Sequence, residues 1–486
     1  MTMKKRERKK NYTGLFLFFA QIAATIILII LLAVLNVLPT AILVLAVVLL
    51  LVANIITFLS QRYRNTRLIG KLFAIVVTVI LLIGCIYLGK TWITLKRMTQ
   101  DQQNGAITIS VIVTQEDSAQ TIAAARNYLF GIQKIVDRDN TNTALQQLKD
   151  THGWSGDTDE YTSFKAQVEA LYGGQVGAVL INETYRPLIE ETFKDFRTNT
   201  RVIGTVTLEA KPSGNNSRPV QTEITEKPFV VFLSGIDTYG EIGTQSRSDV
   251  NILAAVNPKT KQILLLTTPR DYYVELARHE GAMDKLTHAG LYGIDISMET
   301  LENLYGISVD YYVRVNFTGF EKIIDALGGV EVYSEKAFST DSGYSFREGM
   351  NSMDGKKALA FVRERYSFIT GDIQRGRNQM ALIQAVIDKA LSSAILTNYV
   401  SLLDSIGDSF VSNIPASRLT ALVKMQLSDN ASWNIVTYNV SGTSAEDTTY
   451  SFGDEVLYVM LPDPETVAHA KELLRQVTEG EILSKE

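Results

Sequence analysis

The chain has 486 residues and a formal net charge of −5, so it is longer than one ordinary domain. The charge is unevenly distributed, because residues 1–100 hold thirteen Lys and Arg against a single acid, Glu7. The rest of the chain holds 34 basic and 51 acidic residues, which disfavours a nucleic-acid surface. We therefore expect no nucleic-acid partner. The single cysteine, Cys85, excludes a disulfide framework.

A basic tail, residues 1–13, precedes three apolar runs within residues 14–90. Each run is near the ~20 residues that a helix needs to cross a bilayer. The first connection carries no charge, whereas the second is basic, so the positive-inside rule places the tail and the second connection in the cytoplasm. The sequence thus predicts a three-pass cell-membrane protein whose later domains are extracellular. The predicted spans are Gly14–Leu35, Thr40–Leu59 and Leu72–Gly89.

Residues 100–225 predict a smaller α/β accessory domain, and its last part, residues 211–219, has the composition of a linker. No catalytic constellation is present in it. The predicted strands are Ala106–Val113, Gly177–Ile181 and Arg201–Leu208, and the predicted helices are Ala119–Leu129 and Arg186–Phe196.

A second domain is predicted over residues 226–480, and its first part contains three short β-branched runs that favour buried strands. These runs are Val230–Leu233, Val250–Val256 and Ile263–Thr268. Charged residues stand at their ends, where ligands bind in open α/β sheets. They are Asp237, Arg247, Asp249 and Arg270.

This mixture of carboxylates and guanidiniums is typical of a metal-bound polyanion. Two Asp side chains can hold Mg²⁺ or Mn²⁺ through oxygen, and Arg binds phosphate through two parallel hydrogen bonds. Salt bridges at loop ends explain the same residues equally well, so this stretch alone leaves both interpretations open.

A second basic cluster lies in residues 358–379. Arg363 and Arg365 are two positions apart, so both face one side if the segment is extended. Asp372, Arg375 and Gln379 fall on one helical face. A helix that begins near Asp372 would direct its N-terminal dipole toward an anion.

Alternating strands and helices continue to the end of the chain and favour a three-layer α/β/α sandwich. The predicted helices are Glu299–Leu304, Phe320–Leu327, Met380–Ala394 and Pro464–Thr478. The predicted strands are Tyr311–Phe317, Val330–Val332 and Val456–Met460, and the last strand with its helix is expected to close the fold.

Several enzyme classes are excluded by missing motifs. The four His have no zinc-type spacing, and the sequence contains neither a GxSxG elbow nor a GxxxxGK[ST] phosphate loop. Arginine, aspartate and a divalent cation suit phosphoryl transfer. Outside the membrane, an activated phosphate must arrive on a membrane-borne carrier, such as a glycan linked to polyprenyl pyrophosphate.

A set of short motifs resembles the LytR-CpsA-Psr family of Gram-positive bacteria, with the streptococcal CpsA proteins of capsule synthesis the most similar. The motifs follow that family's order along the chain. They are SGID, RSD (247–249), PRD (269–271), DKLTHAGLYG (284–293), VDYYVRVNF (309–317), DALGGVEV (325–332), and VRER followed by DIQRGRNQ.

The resemblance implies a Mg²⁺-dependent phosphotransferase that moves a capsular or related polymer from undecaprenyl pyrophosphate to peptidoglycan and releases undecaprenyl phosphate. It implies that Asp237 and Asp249 hold the metal. It also implies a pyrophosphate cradle formed by Arg247, Arg270, Arg363, Arg365, Arg375 and Gln379, with Arg270 and Arg365 directly catalytic alongside the two acids. Further partners would be the membrane and other capsule-assembly proteins.

Some details stay open at the level of sequence. Many members of the family carry a second Arg where this chain has Asn378, so either the cradle has one charge fewer or Arg377 substitutes. We expect Asp271 and Asp372 to orient the neighbouring arginines. Asp271 could instead cap the segment that follows it. Phe232, Leu253, Leu265 and Phe361 either line a lipid tunnel or simply pack the core.

Two other functions are compatible with the same residues. One is a membrane-anchored regulator of capsule expression, although cytoplasmic parts of about ten residues are too small to fold or to read bases. The other is a polyprenyl-pyrophosphate hydrolase, in which water replaces the glycan acceptor.

Overall fold

The computed structural model describes residues 12–63, 65–98, 106–134, 136–209, 223–236, 246–368, 371–391 and 410–484. These residues form two compact units. The first unit contains the N-terminal helices and residues 414–432, and the second contains the remaining described residues from 106 onward. Residues 414–432 therefore belong to the first unit, although they lie inside the range predicted for the second domain.

Three helices of the first unit are long and apolar enough to cross a membrane. The predicted apolar helices are confirmed, and the third extends furthest beyond its predicted bounds, to Arg67–Met98. Some of their polar side chains pair with one another, as Thr57 does by donating to Gln21 over 2.8 Å, because an unsatisfied polar group is costly in lipid. The helices are α1 (Tyr12–Leu35), α2 (Thr40–Arg62) and α3 (Arg67–Met98).

The accessory domain is a five-stranded sheet with helices packed on it, in the strand order β3-β2-β4-β1-β5. Its strands are β1 (Ala106–Thr114), β2 (Phe130–Gln133), β3 (Thr158–Tyr161), β4 (Ala178–Asn182) and β5 (Thr200–Glu209). Its helices are α4 (Arg138–His152), α5 (Phe164–Tyr172), α6 (Arg186–Thr192) and α7 (Phe196–Asn199), and a 3₁₀ turn (Glu183–Tyr185) precedes α6.

The helix predicted over Ala119–Leu129 is wrong, because this segment forms consecutive turns. Ala119, Ile122 and Ala125 are buried as expected, at a spacing of three residues. The hydrogen bonds are short-range, however, with Ala125 donating to Ile122 and Tyr128 donating to Ala125. A spacing of three suits successive i→i+3 turns as well as it suits an α-helix.

The second domain is built on a mixed six-stranded sheet in the order β16-β11-β6-β7-β8-β17. Its sheet strands are β6 (Phe229–Ile236), β7 (Ser248–Asn257), β8 (Gln262–Thr268), β11 (Tyr311–Asn316), β16 (Phe410–Ser412) and β17 (Asn434–Asn439). The remaining strands pair in twos and are β9 (Tyr273–Glu275), β10 (Met283–Lys285), β12 (Val330–Ser334), β13 (Phe338–Ser339), β14 (Ser345–Phe346), β15 (Gly349–Met353), β18 (Gly442–Thr449) and β19 (Gly453–Pro462). The helices of this part of the chain are α8 (Leu286–Ala289), α9 (Ile294–Tyr305), α10 (Phe317–Ala326), α11 (Gly355–Arg363), α12 (Asp372–Leu391), α13 (Ala416–Asp429) and α14 (Pro464–Glu479).

Helices cover both faces of this sheet, which confirms the predicted three-layer α/β/α architecture. On one face, Phe232 and Leu253 pack in a core with side chains of α9 and α14, and both are completely buried. Each such side chain contributes roughly 1.5–3 kcal/mol by leaving water. On the other face, α12 contacts β8 and β17, and α10 contacts β11.

The final strand and helix are both present, and the helix packs on the core of the main sheet, but the strand belongs to another sheet. The predicted strand Val456–Met460 lies in β19, which pairs with β18 in a separate two-stranded sheet. The edge strand beside β8 is instead β17, which runs parallel to it. Alternation along a strand reports which side chains are buried but not which strand is its neighbour.

The accessory domain shares a core with the second domain. Leu291 and Phe452 of the second domain lie in the same buried cluster as Phe164 and Leu188 of the accessory domain. Because Leu291 immediately follows α8, the accessory domain packs against the segment that carries that helix.

Candidate active site

A cleft lies at the end of the main sheet where β8 ends and β7 begins. The two strands are antiparallel and Asn251 pairs with Thr268, so the polar residues at these ends meet. β17 ends at the same place, with Asn439 opposite Thr267. The described lining is Asp249, Asn251, Thr267, Thr268, Pro269, Arg270, Ile373, Arg375, Gly376, Gln379, Asn439 and Val440.

Asp249 is held by two donors. Arg270 donates from Nη1 to Oδ2 of Asp249 over 2.9 Å, and Thr287 Oγ1 donates to Oδ1 over 2.9 Å. Such charge-assisted bonds are stronger than bonds between neutral groups and fix the orientation of the carboxylate. Asp249 and Arg270, predicted from separate strand ends, are thus brought into direct contact.

Two opposing effects set the pKa of Asp249. Burial raises it, because the charged form loses its hydration. The positive charges of Arg270, Arg247 and Arg375 act in the opposite direction and outweigh burial, so the pKa lies below its ordinary value. Asp249 is therefore a carboxylate at neutral pH.

Asp271 stands behind Arg270 and is almost completely buried. Its Oδ2 lies 3.5 Å from Arg270 Nε, and its Oδ1 lies 3.3 Å from Lys285 Nζ. This is the place expected of a supporting acid. Its supporting role stays a prediction.

Helix α12 contributes the cleft's other wall. It begins at Asp372, as predicted, and presents Arg375, Gly376 and Gln379 to the cleft. Arg375 and Gln379 are four residues apart and so lie on one face. Gly376 faces the ends of β8 and β17, and a Cβ there would lie 3.4 Å from Asn439 Oδ1, in ordinary van der Waals contact.

The sequence of this chain matches the model of a known protein family. The sequence model of the LytR_cpsA_psr family matches residues 197–463, which is more than half of the chain. The chain belongs to the LytR-CpsA-Psr family. This match spans the main sheet and every residue of the cleft.

Curated relatives of this LytR-CpsA-Psr chain are teichoic acid transferases by name. It is 38% identical over 202 residues to the polyisoprenyl-teichoic acid–peptidoglycan teichoic acid transferase TagU of Enterococcus faecalis, covering 41% of this chain and 66% of the relative. It is 38% identical over 197 residues to the corresponding TagT of Bacillus subtilis, covering 38% of this chain and 60% of the relative. The chain thus spans just under two thirds of the length of these relatives.

Solved structures of the family are also similar to this chain. The crystal structure of Bacillus subtilis TagV shares 27% identity with a TM-score of 0.44, covering 52% of this chain and 98% of that one. TagT bound to LI-WTA shares 28% identity with a TM-score of 0.43, covering 54% of this chain and 95% of that one.

Arg363 and Arg365 of this LytR-CpsA-Psr chain do not share one extended segment. Arg363 is the last residue of α11, and only Arg365 follows the helix. Asp354 caps the start of α11 by accepting from the Lys357 amide. The buried side chains of α11 are spaced for a helix, and the helix continues to Arg363. The guanidinium of Arg363 lies over Phe317, 4.3 Å from the ring centroid. Neither arginine is in the described lining of the cleft.

Asp237 lies outside the described residues, and so does the side chain of Asp372. Asp237 directly follows Ile236, which pairs with Ser248. Its part in the site stays a prediction from sequence.

The cleft fits a hard divalent cation by the chemistry of its donors. Asp249 supplies a carboxylate, and the cleft is lined by oxygen donors of the kind that Mg²⁺ binds. Among the described residues, no group of three or more His, Cys, Asp or Glu side chains is placed to hold a metal. Mg²⁺ usually keeps waters and takes only one or two carboxylates together with substrate phosphates, so a site of this kind suits it.

Of the two alternatives for Arg377 and Asn378, the described cleft favours the one in which the cradle has one charge fewer. Arg377 forms an ion pair with Glu335 at 3.3 Å on another side of α12, away from the described lining of the cleft. Asn378 is buried and donates to the Phe361 carbonyl over 3.3 Å. Arg377 therefore does not replace an arginine in the described cleft.

Three side-chain oxygens in the cleft were not predicted from the sequence. Asn251 Oδ1, Thr267 Oγ1 and Asn439 Oδ1 are buried without a hydrogen-bond partner. Buried polar atoms are normally paired, and exceptions mark places where a ligand or water completes the bonding. In the sequence, these residues could have been recognised as polar positions near the ends of apolar strands.

Arg314 of the quoted VDYYVRVNF motif was also missed. It is buried on β11, and its Nη2 donates to the Ser246 carbonyl over 3.4 Å, next to Arg247. Burial lowers its pKa to about 10. It remains a cation at neutral pH and adds positive charge beneath this end of the sheet.

The four residues considered for a lipid tunnel are all completely buried. Phe232 and Leu253 belong to the core beneath α9 and α14, and Phe361 belongs to the core between α10, α11 and α12. Leu265 lies on the sheet face opposite Leu266. In this structure they pack the interior.

Proposed function

We propose that this chain transfers a capsular polysaccharide, or a related anionic wall polymer, from undecaprenyl pyrophosphate to peptidoglycan and releases undecaprenyl phosphate. The supporting observation is the Asp249 carboxylate, which lies among the charges of Arg270, Arg247 and Arg375 in a cleft of a LytR-CpsA-Psr chain. The named relatives act on polyisoprenyl-linked teichoic acid and peptidoglycan, which supports the same donor and acceptor classes here.

The three apolar helices support a lipid-borne donor. They can span a membrane, and the proposed topology holds the second domain outside the cell, where soluble activated phosphates are absent. An enzyme and a carrier that are anchored in the same membrane diffuse along one surface, so they encounter each other without a soluble intermediate.

The proposed role of the arginines is to bind and neutralise the pyrophosphate. Arg270 is oriented by Asp249 and Asp271, so it is preorganised before the substrate arrives. Arg375 projects from the first turn of α12, where the helix dipole also favours an anion. Such groups act where charge develops in the transition state. Arg363 and Arg365 are proposed to complete the cradle.

Asp249, together with Asp237, is proposed to hold Mg²⁺ or Mn²⁺. When bound, the cation neutralises phosphate charge and promotes departure of the leaving phosphate. Because its pKa is lowered, Asp249 is a weak proton acceptor. We therefore assign it the binding of charge rather than the role of general base.

The reaction exchanges the phosphoanhydride bond of the donor for a phosphoester bond to the acceptor. An acceptor hydroxyl oxygen forms a bond to the phosphorus nearest the polymer, and its proton is released to solvent. The bond from that phosphorus to the bridging oxygen breaks, and undecaprenyl phosphate leaves with the electron pair. The polymer is thereby joined to peptidoglycan through a phosphodiester.

The test uses the full chain in detergent, a short polyprenyl-pyrophosphate-linked oligosaccharide and soluble peptidoglycan fragments. Mass spectrometry follows release of polyprenyl phosphate and attachment of the glycan. Asp249→Asn and Arg375→Ala should each lower the attachment rate on the order of a hundredfold, because each removes one charge-stabilising group.

The matched control is Arg475→Ala, which removes an exposed arginine on α14 and should leave the rate unchanged. Release of polyprenyl phosphate without attachment, at equal rates with and without acceptor, would establish a hydrolase and refute transfer. Attachment of a teichoic donor but not a capsular donor would refute the capsular assignment.

A further inference from the structure

A groove separate from the cleft runs along α12. It lies between that helix, β17 and the hairpin formed by β12 and β15, and its volume is about 510 Å³. Its lining includes Glu331, Tyr333, Arg377, Gln384, Asp388 and Asn439. We call it the α12 groove.

The α12 groove and the cleft are neighbours on one helix. Arg377, Ala381 and Gln384 are spaced for one face of α12 and line the groove. Arg375 and Gln379 line the cleft from another face. Asn439 at the end of β17 lines both. A molecule in the groove would therefore reach the pyrophosphate cradle at Asn439.

The two sites differ in charge. The groove's described lining contains three carboxylates, Glu331, Glu335 and Asp388, and one guanidinium, Arg377, which is paired with Glu335. An acidic groove repels an anionic polymer and favours neutral or amine-bearing molecules. The basic cleft has the opposite preference.

The groove also presents groups that suit a sugar. Tyr333 is 56% exposed and pairs across the hairpin with Met350, which is 47% exposed. An exposed aromatic ring offers an apolar face that tolerates the C–H face of a pyranose. Carboxylates and amides such as Glu331 and Gln384 can accept or donate hydrogen bonds to hydroxyl and acetamido groups.

Asn439 supplies an independent observation. Its Oδ1 is buried at the junction and has no hydrogen-bond partner. An acceptor atom left unpaired at this point is suited to a hydroxyl group that enters from the groove.

We propose that the α12 groove binds the acceptor, a neutral N-acetylated glycan strand that bears peptide amines, and directs its hydroxyl past Asn439 into the cleft. This deepens and rests on the proposed transfer of polymer to peptidoglycan. The donor's pyrophosphate and the acceptor thus occupy separate sites of opposite charge.

The experiment measures binding to the full chain in detergent by calorimetry, with two probes. The first is a soluble N-acetylglucosamine–N-acetylmuramic acid tetrasaccharide whose stem peptides carry a free amine. The second is geranylgeranyl pyrophosphate. Tyr333→Ala should weaken tetrasaccharide binding about three- to tenfold through loss of the ring. Glu331→Gln should weaken it about two- to fivefold through loss of charge. Neither should alter binding of the pyrophosphate.

The controls separate a binding role from a structural one. Glu446→Gln removes an exposed carboxylate from the other hairpin strand, β18, and should change neither affinity. Tyr333→Phe keeps the ring and should retain tetrasaccharide binding. Equal affinity in wild type, Tyr333→Ala and Glu331→Gln, or no binding by the wild type, would overturn the proposal. Groove-dependent tetrasaccharide binding without polymer attachment would support the groove and refute only the proposed transfer.

Discussion

At the scale of single residues, Asp249 shows how a largely desolvated acid stays charged. Its desolvation is offset by three nearby guanidiniums, and its two oxygens accept from Arg270 and Thr287. Thr287 is buried on α8, which is itself fixed because Asp284 accepts from the His288 ring over 2.6 Å. Thr287 is therefore a positioning residue for the carboxylate.

Thr287→Val should test that role, because it keeps the side-chain shape and removes only the hydroxyl. The hydroxyl lowers the pKa of Asp249, so its loss should raise that pKa. The acid limb of the pH–rate profile should move to higher pH by up to about one unit, with a rate loss of about tenfold at neutral pH. Steady-state rates of both enzymes from about pH 2.5 to 8 provide the measurement, since the wild-type acid limb lies below the ordinary carboxyl pKa.

Thr448→Val is the control for this change, since Thr448 is exposed on β18. It should leave both the rate and the acid limb in place. A Thr287→Val enzyme whose rate falls equally at every pH would show that the threonine acts on the cleft without tuning Asp249.

At the scale of elements, α12 organises both proposed binding regions. One face carries Arg375 and Gln379 to the cleft, and another carries Arg377 to the groove. Gly376 lines the cleft beside Asn439 and Thr267, and it weakens the helix because glycine loses more backbone freedom than alanine on folding. The chain thus carries a helix-weakening residue in the wall of the cleft.

Gly376→Ala should therefore separate stability from activity. A Cβ would meet Asn439 Oδ1 at 3.4 Å and Thr267 Cγ2 at 3.6 Å, which is ordinary contact. The free energy of unfolding should rise by about 0.5–1 kcal/mol, while the transfer rate falls because the methyl group occupies the cleft. Denaturant unfolding and transfer assays measure the two quantities.

The matched control is Ala381→Gly, which makes the reverse change on the groove side of the same helix. It should lower stability by about the same amount. If Gly376→Ala raised stability without lowering the rate, the space beside Asn439 would have no part in substrate binding.

At the scale of the whole molecule, charge and hydropathy divide the chain. The basic residues of the first 100 positions flank the apolar helices, whereas the later part is acidic. An acidic exterior with a local basic cleft concentrates anion binding at one place. The three helices can anchor that part to a membrane.

Cysteine labelling should test the orientation, in a Cys85→Ala background. Asn65→Cys, in the basic connection, should resist a membrane-impermeant maleimide in intact cells and react after lysis. Glu446→Cys, at an exposed position of the second domain, should react in both conditions. Reaction of Asn65→Cys in intact cells would reverse the proposed topology.

Features that depend on local composition could be predicted from the sequence. A helix in a membrane satisfies its own backbone hydrogen bonds, so an apolar run of sufficient length was enough to locate α1, α2 and α3. The buried strands β6, β7 and β8 and the start of α12 were likewise predicted from runs and spacing. The ordered motifs predicted the family.

The tertiary structure alone decided the features that depend on partners distant in the chain. Strand register placed Asp249 against Arg270, and helix α8 brought Thr287 to the same carboxylate. Long-range pairing placed β17 beside β8 and paired β19 with β18 in a separate sheet. Arg377 forms its ion pair with Glu335, away from the described lining of the cleft. Local pattern specifies which face of an element is buried, whereas long-range packing selects what that face meets.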